Sequence, residues 1–466
     1  MHDNEAVAWA EDEFGAAGLG DIRRTRRLVE MAGRTAANPG GKVTSVFSEG
    51  ADREAAFRLL ENDDVAPEAI ALSAHAATAR RCLGEQSVLV PIDGSSLNLT
   101  DRTGAKGLGA IGVKKAKARG LCVMSAIAVG MNGTPLGICG QVYWARKELS
   151  TRKRGKKDKR KTEEKETRHW LSVMEQVRNV FAQNAPETRP WFQLDRGGDG
   201  WPLIMEAVTH RTRQWTTIRA TYDRRVSDDP TKQSHLWEVV ERQPAATSYD
   251  LEIPGSPTRT KRKARLEVKF APVRLALTDK RTQCHFEASL FAVFVKEVGT
   301  TPEGEEPIEW MLLTTYPVTN AQDALTVVWA YTQRWRIEEF HKVWKTGACR
   351  VEDMQLRAED HIVRWATLLS SVAMRLLRMT YFARNVPDAP ATTEFSQAEV
   401  KAIVMLRKPK SKPCGELSIS DAVRWLADLG GYTGKSSGGP PGPIVLARGL
   451  HRIEPVVMLI IDGQIR

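Results

Sequence analysis

Six cysteines are scattered over 466 residues (Cys82, Cys122, Cys139, Cys284, Cys349 and Cys414), with none in CxxC spacing. That pattern supports neither a cysteine zinc site nor a disulfide framework, and it suits a reducing compartment. The nine histidines show no HExxH or comparable arrangement, which disfavours histidine-based zinc hydrolysis. The P-loop pattern is absent as well, so ATP hydrolysis is not expected, and neither is serine-esterase chemistry. The first twenty residues are acidic and lack an apolar core behind positive charge, so no signal peptide is expected. Val456 to Ile461 is the longest apolar run near the end and is far too short to span a bilayer. No membrane role is expected.

What is present is positive charge. Lys and Arg number 68 against 57 Asp and Glu, for a formal net charge of +11 and a pI near 9.3. An excess of this kind favours a polyanionic partner, because bound cations displace the counterions of a phosphate backbone. Hydrophobic residues make up 42% of the chain, enough for a sizeable core, and the length suggests about three structural units.

The stretch 319–347, TNAQDALTVVWAYTQRWRIEEFHKVWKTG, reads as one long helix. At about 100° per residue, Tyr331, Arg334, Glu338, Lys342 and Lys345 share a stripe, while Leu325, Ile337, Phe340, Val343 and Trp344 lie on the apolar side. Only Arg336 spoils the division. The polar stripe spans roughly 21 Å at about 1.5 Å per residue, a length that suits nucleic-acid backbone. A surface helix with ordinary ion pairs reads the same way.

Taken in order, residues 1 to about 70 look helical, with Trp9, Phe14, Leu19, Ile22 and Leu28 as core and Asp21 as a helix cap ahead of Arg23, Arg24, Arg26 and Arg27. Arginines so dense leave like charge uncompensated, and such helices either enter a DNA groove or coat the surface. Three strands follow: QSVLVPID ending in Asp93, then Leu121 to Gly130 and Pro135 to Trp144, the last two joined through Asn132-Gly133, a hairpin signal. The run 152–161, RKRGKKDKRK, is either a solvated loop or a phosphate contact. A helix leads to RPWFQLD, a strand ending in Asp195, then a second helix and a fifth strand, WTTIRATY. Three strands, helix, strand, helix, strand is the ribonuclease H-like order. Acids close its first and fourth strands, although either aspartate could instead cap a helix or make a turn. Residues 223–317 have β character and are expected to form a separate sheet beside the core, with a basic turn at 258–263. A strongly apolar helix is expected over 360–383, a connection over 386–400, and a helix over 418–429 before the turn-rich GKSSGGPPGP.

Two Mg²⁺ or Mn²⁺ ions held by carboxylates can activate a hydroxyl and stabilise the leaving oxygen of a phosphoryl displacement. Asp93, Asp195 and Glu338 could supply such a site. The spacing Tyr331-xx-Arg334-xxx-Glu338-xxxxxx-Lys345 resembles the YREK signature of bacterial cut-and-paste transposases with a DDE triad, the insertion-sequence family of the Tn-five transposase. LGDIRRTRRL, IDGSSL around Asp93, LDRGGD around Asp195 and LADLGGY extend the resemblance over nearly the whole chain.

The resemblance implies an α/β fold: a ribonuclease H-like mixed sheet flanked by helices, with a β-rich insertion, a small helical N-terminal domain and a helical C-terminal domain. It implies a transposon-end DNA-binding domain at 1–70, a catalytic domain at 71–385 with its insertion at about 223–317, and a dimerisation domain at 386–466. Asp93, Asp195 and Glu338 would bind two Mg²⁺ ions, with Mn²⁺ able to substitute. Tyr331, Arg334 and Lys345 would hold phosphates, with Lys342 beside them, Trp310 would stack on a flipped base, and Arg23, Arg24 and Arg27 would contact the inverted repeat. The implied enzyme nicks the transposon end, forms and resolves a hairpin, and joins 3′ ends to target DNA. It would act as a homodimer on double-stranded DNA in a bacterial cytoplasm, associated with the nucleoid when bound. Here Ile444 to Leu450 reads IVLARGL, where the family usually shows tryptophan. The alternatives are a ribonuclease H-fold nuclease without strand transfer and a DNA-binding inhibitor of transposition.

Overall fold

The computed structural model describes residues 8–101, 104, 106–112, 118–146, 166–227, 234–253, 255, 260–279, 281–408, 415–434 and 439–465. The basic run 152–161, positions 258 and 259 of the second basic turn, and Cys414 fall outside these residues. So does most of Gly434–Gly438, GKSSG, the chain's one match to the serine-esterase pattern GxSxG.

Five helices open the chain: α1 (Ala8–Phe14), α2 (Ile22–Ala37), α3 (Val43–Val46), α4 (Gly50–Leu60) and α5 (Pro67–Arg81). The Asp21 carboxylate accepts the Arg23 N–H at 2.8 Å, satisfying one of the donors that the first turn leaves open. Phe14, Leu19 and Leu28 are buried as expected and Trp9 is half-buried, but Ile22 is 62% exposed. Six residues ahead of Leu28, it lies about 120° off that residue's direction.

The core sheet begins with β1 (Ser87–Asn98), a two-residue β2 (Gly109–Ala110), β3 (Arg119–Val129) and β4 (Pro135–Trp144). The β3–β4 hairpin turns through Gly133, whose φ of +86° is the conformation glycine tolerates best. Then come α6 (Thr167–Asn184), β5 (Arg189–Leu194), α7 (Trp201–Thr209) and β6 (Trp215–Arg219). β1, β3 and β4 are antiparallel in sequence, whereas β5 runs parallel to β1 and β6 parallel to β5. The order β4-β3-β1-β5-β6 is the ribonuclease H-like one. Val88, Val90 and Ile92 pack on one face with Phe192, Leu194 and α6, while Leu89 and Leu97 pack on the other with Trp191 and the later helices. A strand covered on both faces reads as a continuous apolar run, as QSVLVPID does.

The insertion does not form a sheet of its own. After α8 (Leu236–Glu241) it supplies β7 (Thr247–Ile253), β8 (Arg262–Thr278), β9 (His285–Val298) and β10 (Glu309–Thr314). β10 pairs antiparallel with both β6 and β9, so one sheet runs from β4 through to β7. β6 would otherwise end the core with an open row of backbone donors and acceptors, and β10 covers that edge.

The expected single helix at 319–347 is two, α9 (Ala321–Thr332) and α10 (Arg336–Lys345), joined by a 3₁₀ turn at Gln333–Trp335. The tighter turn rotates α10 by roughly 20° per 3₁₀ residue relative to an unbroken helix. α11 (Glu359–Asn385) is buried along most of its length. The stretch 386–400 is not simply a connection, because α12 (Gln397–Arg407) begins within it. Ser396 and Glu399 form a capping box there, a signal legible in SQAE. α13 (Ile419–Leu429) starts at its Ser418 cap, and α14 (Pro443–Ile461) carries the aliphatic run that closes the chain. No described helix is long and apolar enough to cross a membrane.

Candidate active site

Asp93 lies inside β1 rather than at its end, opposite Ser125 of β3. Its parallel neighbour β5 stops at Leu194, which pairs with Ile92. Asp195 is therefore the first residue beyond β5, on the strand next to Asp93 and one register step past the last pair. The Asp195 carboxylate accepts the Gly197 N–H at 2.8 Å and so caps a 3₁₀ turn, Arg196–Gly198. This capping role, weighed above as an alternative, coexists with the placement beside Asp93. A side chain at Gly198 would put Cβ 2.8 Å from the Cβ of Leu194, so the turn closes only on glycine.

Glu338, in α10, reaches these strands through Arg334. The guanidinium donates to Glu338 Oε1 at 2.8 Å and faces Asp93 Oδ2 at 3.9 Å. Burial pushes the Asp93 carboxyl up from 3.8 to about 6, and the negative charges of Asp195 and Glu338 add to that rise against the opposing pull of Arg334. The three acids thus share one electrostatic field. Among the described residues, no three His, Cys, Asp or Glu side chains are gathered closely enough to hold a metal ion as they stand; Arg334 spans two of the acids. Their chemistry nonetheless fits a hard divalent cation, since all the donors are carboxylate oxygens.

Tyr331 is buried at the end of α9, where burial raises its hydroxyl pKa, and it hydrogen-bonds with Arg219 of β6. Trp310 of β10 meets it edge to face, with ring centroids 5.8 Å apart. Trp310, Trp237, Arg196 and Arg219 border a cavity of about 510 Å³. Neither Arg196 nor Arg219 stood out in the sequence. Both sit at the carboxyl ends of neighbouring parallel strands, where open α/β sheets gather their ligands, and that placement was the available signal. Lys345 Nζ lies 3.3 Å from Ser95 Oγ of β1 and 3.6 Å from Glu352.

Lys342 is not brought to this cluster. It is exposed and borders a separate cavity of about 300 Å³ with Glu339, Tyr381 and Arg384. Arg336, the cation that broke the stripe, bonds the Gly133 carbonyl at 3.2 Å and lies over the Tyr381 ring at 4.1 Å. It holds α10 against the β3–β4 hairpin and α11.

The arginines of α2 are less uniformly uncompensated than their spacing suggests. Arg24 pairs with Asp64, and Arg27 with Glu30 at 2.7 Å. Arg23 and Arg26 are exposed and make no ion pair among the described residues.

Residues 6–65 match the family model described as Transposase DNA-binding, and residues 140–375 match the one described as Transposase DDE domain. The second match takes in just over half of the 466 residues and contains Asp195 and Glu338, while Asp93 precedes it. A cryo-EM structure of the piggyBac transposase synaptic complex with hairpin DNA is similar at 10% identity, over 85% of this chain and 77% of that chain, with a TM-score of 0.38.

Proposed function

Because the chain belongs to the family of transposases with a DDE domain, and is thus a DNA-binding transposase enzyme dependent on a divalent metal, we propose that it performs cut-and-paste transposition of the YREK type. Asp93, Asp195 and Glu338 are its metal-binding triad. The observation that carries this assignment is the register of β1 and β5, which sets the two aspartates side by side, with Arg334 linking Glu338 to the same point. Two Mg²⁺ ions, or Mn²⁺ in their place, would supply a more nucleophilic hydroxyl and a stabilised leaving oxygen when bound.

The remaining residues orient the DNA. Arg334 and Lys345 neutralise phosphates at the transposon end, and the buried Tyr331, held by Arg219, adds a rigid hydroxyl donor. Lys342 contributes only a peripheral contact. Trp310 stacks on a base turned out of the duplex, lowering the cost of bending the strand into a hairpin. The freed 3′ hydroxyl attacks the opposite strand, water reopens the hairpin, and the same hydroxyl joins target DNA. Residues 1–70 recognise the inverted repeat, 71–385 carry the chemistry, and 386–466 pair two subunits into a homodimer. The setting is the bacterial cytoplasm, on the nucleoid when DNA is bound.

The test is gel analysis of cleavage and joining on DNA that flanks the encoding gene, with and without Mg²⁺. Asp93→Ala, Asp195→Ala and Glu338→Ala are each expected to lower nicking by about 10⁴-fold, the scale for loss of a catalytic group, with end binding kept. Any of the three that retains full strand transfer removes that residue from the triad. Hydrolysed ends without joined strands would favour the nuclease alternative, and binding without cleavage the inhibitor.

A further inference from the structure

Four residues past Asp195 stands an aspartate that has no place in the triad. The Asp199 side chain is fully buried. Its Oδ2 accepts the backbone N–H groups of Thr221 at 2.6 Å and Tyr222 at 3.0 Å, and its Oδ1 pairs with Arg224 at 2.6 Å. Arg224 returns a hydrogen bond to the Asp199 carbonyl at 2.8 Å, and the Thr221 hydroxyl lies 3.5 Å from the Arg196 carbonyl. These bonds join the turn after β5 to the segment just after β6.

The strands do not make that connection themselves. Their parallel ladder ends at Leu194 and Ile218, so Asp195 and Arg196 lie beyond the last β5–β6 pair. Measured against an apolar pair of similar size, a buried ion pair adds little net stability, whereas removing one partner alone strands a buried charge. The contribution of this pair is therefore positional. It sets where Asp195 and Arg196 stand relative to Arg219, the last residue of β6, and relative to the wall of the cavity both arginines line.

We infer that Asp199, latched by Arg224, is a positioning residue for the transposase reaction: it holds the turn that presents the Asp195 carboxylate and Arg196. The inference rests on the metal-binding role proposed for Asp195. Groups that orient a ligand typically change metal affinity or activity by about 10–100-fold when lost.

The full chain, bound to a duplex carrying the DNA that flanks its gene, is titrated with Mn²⁺ while the free ion is followed by electron paramagnetic resonance. Asp199→Asn is expected to weaken Mn²⁺ binding and slow nicking, each by about 10–100-fold, with metal-free affinity for the duplex unchanged. Wild-type Mn²⁺ affinity in Asp199→Asn overturns the proposal. The double variant Asp199→Asn/Arg224→Met removes both charges and is expected to recover the thermal midpoint without recovering Mn²⁺ affinity. Recovery of both would show a role in stability alone and overturn the proposal equally. If neither variant folds, Arg224→Lys decides. It keeps the charge but loses the forked donor; weakened Mn²⁺ binding is the supporting result and unchanged binding the overturning one. Asp195→Ala run in parallel separates the two levels, because Mn²⁺ binding and nicking that survive it would sink the triad reading rather than the latch.

Discussion

The cations of α9–α10 and those of α2 both line a helix face in the sequence, yet the fold treats them differently. Arg334 is wired to Glu338 and faces Asp93, and Lys345 reaches Ser95 and Glu352. On α2, Arg24 and Arg27 are matched by acids of their own helical region, while Arg23 and Arg26 stay free among the described residues. In the first set charge is placed against partly buried acids, where each contact is electrostatically stronger than on an open surface. In the second set it meets water and salt, where each pair contributes little. Clustered charge alone did not distinguish the two.

The sharpest way to break the contrast is Arg334→Ala. Loss of a charge-stabilising donor at a reaction centre is expected to slow nicking by about 10²–10³-fold. Mn²⁺ affinity of the DNA-free protein is expected to rise in the same variant, because a cation competing for Glu338 and Asp93 has gone. Lower Mn²⁺ affinity in titrations without DNA would mean that Arg334 does not compete for those acids.

Asp93→Asn tests the same field through stability. The folded protein holds the Asp93 proton more tightly than the unfolded chain, so its stabilising effect is full below about pH 3.8 and is lost as pH rises through about 6. Above that, the ionised carboxylate costs about 3 kcal/mol. Metal-free urea denaturation at about pH 8 is expected to show Asp93→Asn more stable by up to that amount, with the difference vanishing near about pH 4. An inactive variant that gains no stability at high pH would remove the acid cluster's strain from the account.

Smaller effects are expected from Trp310 and the α2 arginines. Trp310→Ala should slow hairpin formation by about tenfold, within the roughly 1–3 kcal/mol of a stacked base, and should slow the first nick less; equal slowing of both steps counts against stacking. Arg23→Ala should lower the salt slope of end binding by about 0.9, one phosphate contact. Arg24→Ala should lower it less and cost at most about 1 kcal/mol of stability, because Asp64 already holds that side chain. Equal slopes for Arg23→Ala and Arg24→Ala would erase the distinction between free and paired arginines.

Several features were legible because they depend on neighbours along the chain. The strand–helix order of the core, the Asn132-Gly133 hairpin, the Asp21 cap and the apolar face of α10 follow from periodicity and local hydrogen bonding, which a few consecutive residues settle. The YREK spacing pointed to the same helix that carries Glu338. Features that depend on distant segments were not legible. Whether β10 closes the edge of β6, which arginines of α2 find acids, and how the 3₁₀ turn redirects α10 are decided by pairing and packing across the chain. Local sequence also left Asp93 and Asp195 as two strand-associated acids, either of which could have been a simple cap. Only the parallel register of β1 against β5 made them neighbours, and the Asp199–Arg224 latch helps tie down the turn that carries the second, where the ladder no longer reaches.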